Sequence, residues 1–161
     1  MNSNNKDLSI GYILAILMLL SLLNSAYFFL ATAKFGLMQW LAFNACSLSI
    51  IAYLACFICF QITRKDLVLA IALLPQYYYG TMGLFVVSWD AANLVPQITH
   101  IIITLNVIWI IFLLLKGSKY ESLGKGLLIG VLLFVPLFAI IQNYSQAHMA
   151  EFMELLQKAG Y

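Results

Sequence analysis

The sequence predicts an all-α integral membrane protein, a bundle of five transmembrane helices followed by a short C-terminal amphipathic helix. Composition leads to this fold class: hydrophobic residues make up 64% of the 161 residues, charged residues only 9%, and the mean hydropathy is +0.97. A soluble domain carries about a quarter charged residues, and a surface so poor in charge would expose large apolar patches to water. Lipid is therefore expected to surround most of this protein.

The length of the apolar runs decides between helices and barrel strands. Backbone N–H and C=O groups in hydrocarbon have no water to bind, so a spanning segment is a helix or part of a closed barrel. A spanning helix needs about 20 apolar residues, whereas a barrel strand has about ten that alternate in polarity. Five runs satisfy the helical requirement, at about residues 9–33, 37–62, 67–88, 94–115 and 123–142. Residues 9–142 are thus expected to form a single transmembrane domain.

The distribution of basic residues predicts how the five spans are oriented. Cytoplasmic loops of membrane proteins carry an excess of Lys and Arg. Six of the eight basic residues fall on the side of the N-terminus: Lys6, Arg64, Lys65, Lys116, Lys119 and Lys125. We therefore expect residues 1–8 to be a cytoplasmic tail and residues 143–161 to lie outside. The short connections favour a bacterial inner membrane over a eukaryotic internal membrane.

A signal peptidase site is the competing interpretation of the first run. The sequence Ala31-Thr32-Ala33 has the small residues that such a site needs. However, the apolar region before it exceeds 20 residues, and Lys6 and Asp7 leave the preceding segment without net positive charge. A transmembrane helix is the expected outcome.

The C-terminal tail has an amphipathic pattern. Apolar Met149, Phe152, Met153 and Leu156 recur at helical spacing, and Glu154 precedes Lys158 by four residues, the favourable order for a helical ion pair. The pattern predicts a helix at the outer membrane surface. It either docks on its own bundle, the arrangement that we favour, or receives a partner subunit.

The third run is the least lipid-like of the five. It contains Pro75, which frees a backbone carbonyl one turn earlier, and the glycines Gly80 and Gly83, which let another backbone approach closely. Three consecutive tyrosines follow Gln76 and cannot all point one way on a helix, so at least one hydroxyl needs a partner or a wet cavity. The segment is either the wall of a binding pocket or an irregularity of packing.

The predicted binding site is a polar cavity in the outer half of the bundle, opening outward. His100 is an ionisable residue within a span, which makes it a functional candidate, and Gln97 shares its helix face. By depth, these two lie level with Asn24, Gln39, Asn44 and Tyr79, while Gln76 and Asn106 lie below as a floor. The residues assigned to ligand binding are Asn24, Asn44, Gln76, Tyr77, Tyr79, His100 and Asn106.

Other chemistries receive less support from the sequence. The net charge of +2 without a basic run argues against nucleic acid as a partner. Cys56 and Cys59 lie near the cytoplasmic side, where thiols stay reduced and serve packing. His148 and Glu151 are too few to predict a metal site, and neither a catalytic set nor a cofactor motif is recognised.

Three functions remain, in order of preference. The first is a non-enzymatic protein that binds or transports a small neutral or amphipathic ligand. The alternative is a non-catalytic subunit or assembly partner of a larger membrane complex. Its motivating features are the short length, the tail helix and Gly126-x-x-x-Gly130, a motif of close helix packing or dimerisation. The second alternative is a membrane enzyme acting on lipid or quinone. A homo-oligomer is compatible with the first two.

Overall fold

A computed structural model describes residues 5–91 and 93–159 as helices joined by short connections, and these residues contain no strand. Two of the segments are π-helical, here named π1 and π2. In chain order the elements are α1 (Asn5–Ala26), π1 (Tyr27–Thr32), α2 (Leu37–Phe43), α3 (Ala45–Thr63), α4 (Asp66–Ile71), α5 (Leu73–Pro75), π2 (Gln76–Thr81), α6 (Gly83–Val86), α7 (Leu94–Lys116), α8 (Tyr120–Ala147) and α9 (Met149–Lys158).

Five continuous helical stretches are long and apolar enough to cross a membrane. They are numbered as the first to fifth span: Leu8–Thr32, Ala45–Thr63, Asp66–Val86, Leu94–Lys116 and Tyr120–Ala147. The predicted fold class, an all-α membrane bundle of five helices with a short C-terminal amphipathic helix, is confirmed. The chain is a multi-pass membrane protein. We call the end of the bundle that carries α9 the tail end, and the opposite end the Arg64 end.

The helix expected over residues 37–62 is divided in two. Asn44 leaves the helical backbone conformation, with φ −112° and ψ 65°, and separates α2 from α3. Its side-chain Nδ2 donates a hydrogen bond to Ser25 Oγ at 2.6 Å, so the break brings the connection against the first span. The second span is accordingly shorter than the run of apolar residues.

The third span lies at the centre of the bundle, in contact with the second, fourth and fifth spans. Pro75 has no N–H to donate to the carbonyl of Ile71, and that carbonyl lies against the fifth span: a Cβ atom added to Gly130 would be 3.0 Å from it. Gly126 makes a similar approach to Ala70 and the Leu67 carbonyl. The Gly126-x-x-x-Gly130 motif therefore serves packing within the chain.

The tail helix α9 docks on the tail end of its own bundle. Phe152 is fully buried, with its ring centroid 5.0 Å from that of Phe43 and 6.0 Å from that of Phe35. Gln39 Nε2 donates a hydrogen bond of 2.5 Å to Glu151 Oε1. Aromatic packing thus attaches α9 to α2 and to the turn that precedes it.

Candidate ligand-binding site in a polar seam

Polar and small residues line the contact between the third span and α7, which run antiparallel. The contact has four levels, starting from the tail end: Val87 with Gln97, Gly83 with His100, Thr81 with Thr104, and Gln76 with Asn106. We call these eight residues the polar seam. From Gln97 to Asn106 the seam extends about 14 Å along the helix axis, at 1.5 Å per residue.

Gln97 forms the level nearest the tail end. The third span ends at Val86, and the backbone of the next residue, Val87, is extended. Gln97 Nε2 donates a 2.6 Å hydrogen bond to the Val87 carbonyl. Only 1% of Gln97 is exposed, and its Oε1 has no hydrogen-bond partner. The nitrogen of this buried amide is therefore hydrogen-bonded, whereas its oxygen is not.

His100 lies one turn further along α7. Its imidazole packs on Gly83 so closely that a Cβ atom there would fall less than 3.0 Å from the ring, and it also faces the backbone of Gly80. The side chain is buried and its Nδ1 has no hydrogen-bond partner. The missing side chain of Gly83 is what makes room for this ring in the seam.

The middle level of the seam joins two hydroxyl groups. Thr104 Oγ1 donates a 2.8 Å hydrogen bond to the His100 carbonyl and lies 3.3 Å from Thr81 Oγ1. Thr81 ends π2, and in the same segment Gly80 allows Ile103 to approach the third-span backbone. The wider turn of π2 and these small side chains keep the two helices in close contact here.

The inner level is a pair of fully buried amides. Asn106 Nδ2 donates a 2.6 Å hydrogen bond to Gln76 Oε1, and Gln76 Nε2 lies 3.3 Å from Met18 Sδ of the first span. Asn106 Oδ1 has no hydrogen-bond partner, nor does the hydroxyl of the neighbouring Tyr53. Polar atoms without partners therefore occur at both ends of the seam.

A second group of polar side chains is fully hydrogen-bonded at its centre. Ser25 Oγ accepts from Trp40 Nε1 at 2.9 Å and from Asn44 Nδ2 at 2.6 Å, and lies 3.0 Å from Ser47 Oγ. We call these four residues the Ser25 cluster. Since Trp40 and Asn44 act only as donors here, Ser25 is left to donate its own hydroxyl proton to Ser47. The cluster joins the first span to α2 and α3.

The residues that the sequence assigns to ligand binding occupy several places in the structure. Gln76, His100 and Asn106 lie in the polar seam, and Asn44 lies in the Ser25 cluster. The side chain of Asn24 is exposed on the first span. The expected grouping by depth therefore combines residues that make separate contacts.

The three consecutive tyrosines divide between lipid-facing and packed positions. Tyr77 is 52% exposed. The Tyr78 hydroxyl accepts a 2.6 Å hydrogen bond from Gln142 Nε2. The Tyr79 ring lies 4.7 Å from that of Phe138, and its buried hydroxyl has no hydrogen-bond partner. One hydroxyl of the three thus has the partner on another helix that the sequence requires.

Gln97 and Tyr53 carry buried polar atoms without partners, but they are not among the seven residues that the sequence assigns to ligand binding. Gln97 lies three residues before His100, and this spacing, which places both on one helix face, is the signal in the sequence. Tyr53 belongs to a stripe of small and polar residues on the second run, between Ser49 and Cys56. Neither signal reveals which helix the residue meets.

The seam consists of uncharged amides, hydroxyls, an imidazole and backbone groups, which suits recognition by hydrogen bonding rather than by charge. Within the ranges that the structure describes, no three His, Cys, Asp or Glu side chains come together as metal ligands would. Comparisons of the chain with protein family models, curated proteins and solved structures return no match. The geometry of the seam is therefore the feature from which we infer the function of this protein.

Proposed function

We propose that this membrane protein binds a small uncharged ligand at the tail end of the polar seam, between the third span and α7. One observation carries the proposal: Gln97 Oε1 and His100 Nδ1 are both buried, both without a partner, and lie on successive turns of one helix. Nearly all buried polar atoms in native proteins are hydrogen-bonded, and stranding one costs about 1–3 kcal/mol. A ligand that forms hydrogen bonds with both atoms offsets this free-energy penalty.

The two free atoms define the chemistry of the ligand. Gln97 Oε1 only accepts hydrogen bonds, so the ligand needs a hydroxyl or N–H donor. His100 Nδ1 accepts or donates according to its tautomer. A charged ligand would lose its hydration without meeting an opposite charge in the seam, whereas a neutral one needs only these hydrogen bonds. Alcohols, amides and the polar groups of amphipathic molecules fit this description.

The proposal includes an orientation for the protein. The Arg64 end carries the basic residues of the second and fourth connections, Arg64, Lys65, Lys116 and Lys119, which supports a cytoplasmic position for that end. The tail end, and with it Gln97 and His100, then faces outside. A bacterial inner membrane is the proposed location, and ligand would reach the seam from the outer side.

The alternative of a subunit in a larger complex receives less support from the contacts. Gly126 and Gly130 pack on the third span, and Phe152 of α9 packs on Phe35 and Phe43. The glycine motif is therefore used inside the chain, and α9 is used in part, since Met149 and Met153 stay exposed. The enzyme alternative receives less support because the seam has an imidazole and hydroxyls but no carboxylate that would orient the imidazole for acid–base catalysis.

Native mass spectrometry of protein extracted gently from its own membrane tests the proposal. Wild-type protein should carry a defined small adduct, whose mass identifies the ligand class. Gln97→Met and His100→Met should lose the adduct, because each variant removes one of the two hydrogen-bonding atoms. The matched control is Gln142→Met, which makes the same change on the exposed face of the fifth span, bonded to Tyr78.

Two results would contradict the proposal: wild-type protein without any adduct, or an adduct that survives in both seam variants. A monodisperse elution profile shows that each variant is folded. A fixed stoichiometric complex with other polypeptides would instead favour the subunit alternative.

A further inference from the structure

Four of the five spans each contribute one fully buried side chain to a single point in the interior. These are Met18 from the first span, Tyr53 from the second, Gln76 from the third and Asn106 from the fourth, all with 0% exposure. Three of the four are polar. Buried polar atoms in native proteins normally have hydrogen-bond partners, so each polar atom of this group should have one.

Other protein atoms provide hydrogen-bond partners for only some of the polar atoms in this group. Asn106 Nδ2 donates to Gln76 Oε1, and Gln76 Nε2 reaches only the thioether of Met18, a weak acceptor. Asn106 Oδ1 and the Tyr53 hydroxyl have no hydrogen-bond partner although the Tyr53 hydroxyl faces the Asn106 amide. An acceptor and a hydroxyl, both cut off from solvent, thus lie next to each other unpaired.

The residues around this buried group are apolar toward one end of the bundle and polar toward the other. Toward the Arg64 end, α7 continues with buried Trp109, Ile110 and Leu114, which pack with Phe57 and Phe60 of the second span in one apolar cluster. We call these five residues the dry layer. Toward the tail end, in contrast, the polar seam continues through Thr104 to His100.

We propose that Tyr53, Asn106 and Gln76 bind one water molecule in the middle of the bundle. The water donates to Asn106 Oδ1, accepts from the Tyr53 hydroxyl, and has the Gln76 amide as a third polar neighbour. Buried waters in proteins typically make about three hydrogen bonds to otherwise unsatisfied groups, which is the number available here. A cation is disfavoured because no carboxylate is present among the four side chains to offset its lost hydration.

This water site is separate from the proposed ligand site. His100 and Asn106 are six positions apart on α7, about 9 Å along the helix axis. The inner site therefore does not depend on the proposed ligand, and the two sites can fail independently.

Radiolytic labelling with X-ray pulses in ¹⁸O-water tests the site in the full chain reconstituted in lipid nanodiscs. Hydroxyl radicals formed from a bound water oxidise the side chains beside it, so Met18 and Tyr53 should be labelled despite their complete burial. Trp109 and Phe60 of the dry layer are internal controls, since both side chains are reactive and buried but have no proposed water neighbour. Labelling of Met18 and Tyr53 should exceed that of the controls several-fold. Equal, background labelling of all four would overturn the proposal.

The variant Tyr53→Phe supplies a second test, in which the direction of the change in melting temperature distinguishes the alternatives. If water bridges Tyr53 and Asn106, the variant should have a lower melting temperature and should lose most of the labelling at Met18. If the hydroxyl is simply unpaired, its removal should raise the melting temperature, which would overturn the proposal. A lower melting temperature without labelling of Met18 in the wild type would indicate a direct Tyr53–Asn106 hydrogen bond and would overturn it too. The matched control is Tyr77→Phe, whose ring is 52% exposed and whose melting temperature should not change.

Discussion

The Ser25 cluster and the polar seam both bury amides and hydroxyls between helices, yet they differ in how completely these groups are paired. In the Ser25 cluster a single oxygen meets three partners, within 2.6–3.0 Å. In the seam, Gln97, His100 and Asn106 each keep one buried atom without a partner. A polar side chain in a membrane span therefore does not by itself mark a site. Paired groups hold helices together, and unpaired groups indicate where a ligand or a water belongs.

The largest effect on stability is expected in the Ser25 cluster. Ser25→Ala removes the oxygen that Trp40, Asn44 and Ser47 share. An interhelical hydrogen bond in a membrane protein contributes about 0.6 kcal/mol on average, so losing three should lower the free energy of unfolding by about 2 kcal/mol. Unfolding in detergent measures this value, and the ligand adduct should persist. The control Asn24→Ala, at the exposed neighbouring position, should change little; an equal loss in both variants would contradict a special role of Ser25.

A clear destabilisation of similar size is expected at Gly83. In Gly83→Ala the new Cβ atom would overlap the imidazole of His100, which must shift within a packed interior. Overpacking of this kind costs about 1–3 kcal/mol, and the displaced imidazole should also weaken ligand binding. Unfolding measurements and the adduct in native mass spectra report the two effects. The control is Gly124→Ala, where nothing lies within 4 Å of the added atom and no loss is expected.

Gln97→Met should have little effect on stability while abolishing ligand binding, the reverse of Ser25→Ala. The variant loses the hydrogen bond to the Val87 carbonyl but also removes an unpaired oxygen. These contributions have opposite signs and similar size, so the free energy of unfolding of ligand-free protein should change by less than about 1 kcal/mol. A loss as large as that of Ser25→Ala would place Gln97 with the structural residues and remove the contrast between the two regions.

The smallest effect is expected at the exposed surface of α9. Lys158 Nζ donates a 2.6 Å hydrogen bond to Glu154 Oε1 and lowers the pKa of Glu154 below its ordinary value. A lowered carboxyl pKa contributes stability above the ordinary pKa, and this contribution is lost as pH falls through the lowered value. Because both side chains are exposed, solvent screens the pair, and Glu154→Gln should shift the melting temperature only slightly at neutral pH. The shift should vanish in acid; a larger difference in acid than at neutral pH would contradict this assignment.

The spans could be predicted from the sequence because hydropathy is a local property. About 20 apolar residues in succession have few alternatives to a membrane helix, and this holds whatever the neighbouring segments do. The amphipathic spacing of α9 is local in the same way. The interruption at Asn44 was not visible, because it depends on a hydrogen bond to Ser25, nineteen positions earlier.

The candidate site could be predicted only in part. Depth along a span follows from position in the sequence, so Asn44 and His100 were expected at similar heights. Height does not tell which way a side chain points around its helix, and Asn44 contacts the first span while His100 contacts the third. Gln76 and Asn106 were expected at one level, but their direct hydrogen bond joins residues thirty positions apart.

The order of apolar and polar residues is enough to predict a membrane bundle of five helices with an amphipathic tail, because the transfer of each segment into lipid depends on that segment alone. The folded structure was needed to show that Gly126 and Gly130 pack within the chain, that Ser25 Oγ has three partners, and that Gln97 and His100 each keep one buried atom without a partner. Hydrogen bonds and close packing are properties of two surfaces in contact, so no single segment predicts them. Which surfaces meet is settled by how all five helices fit together.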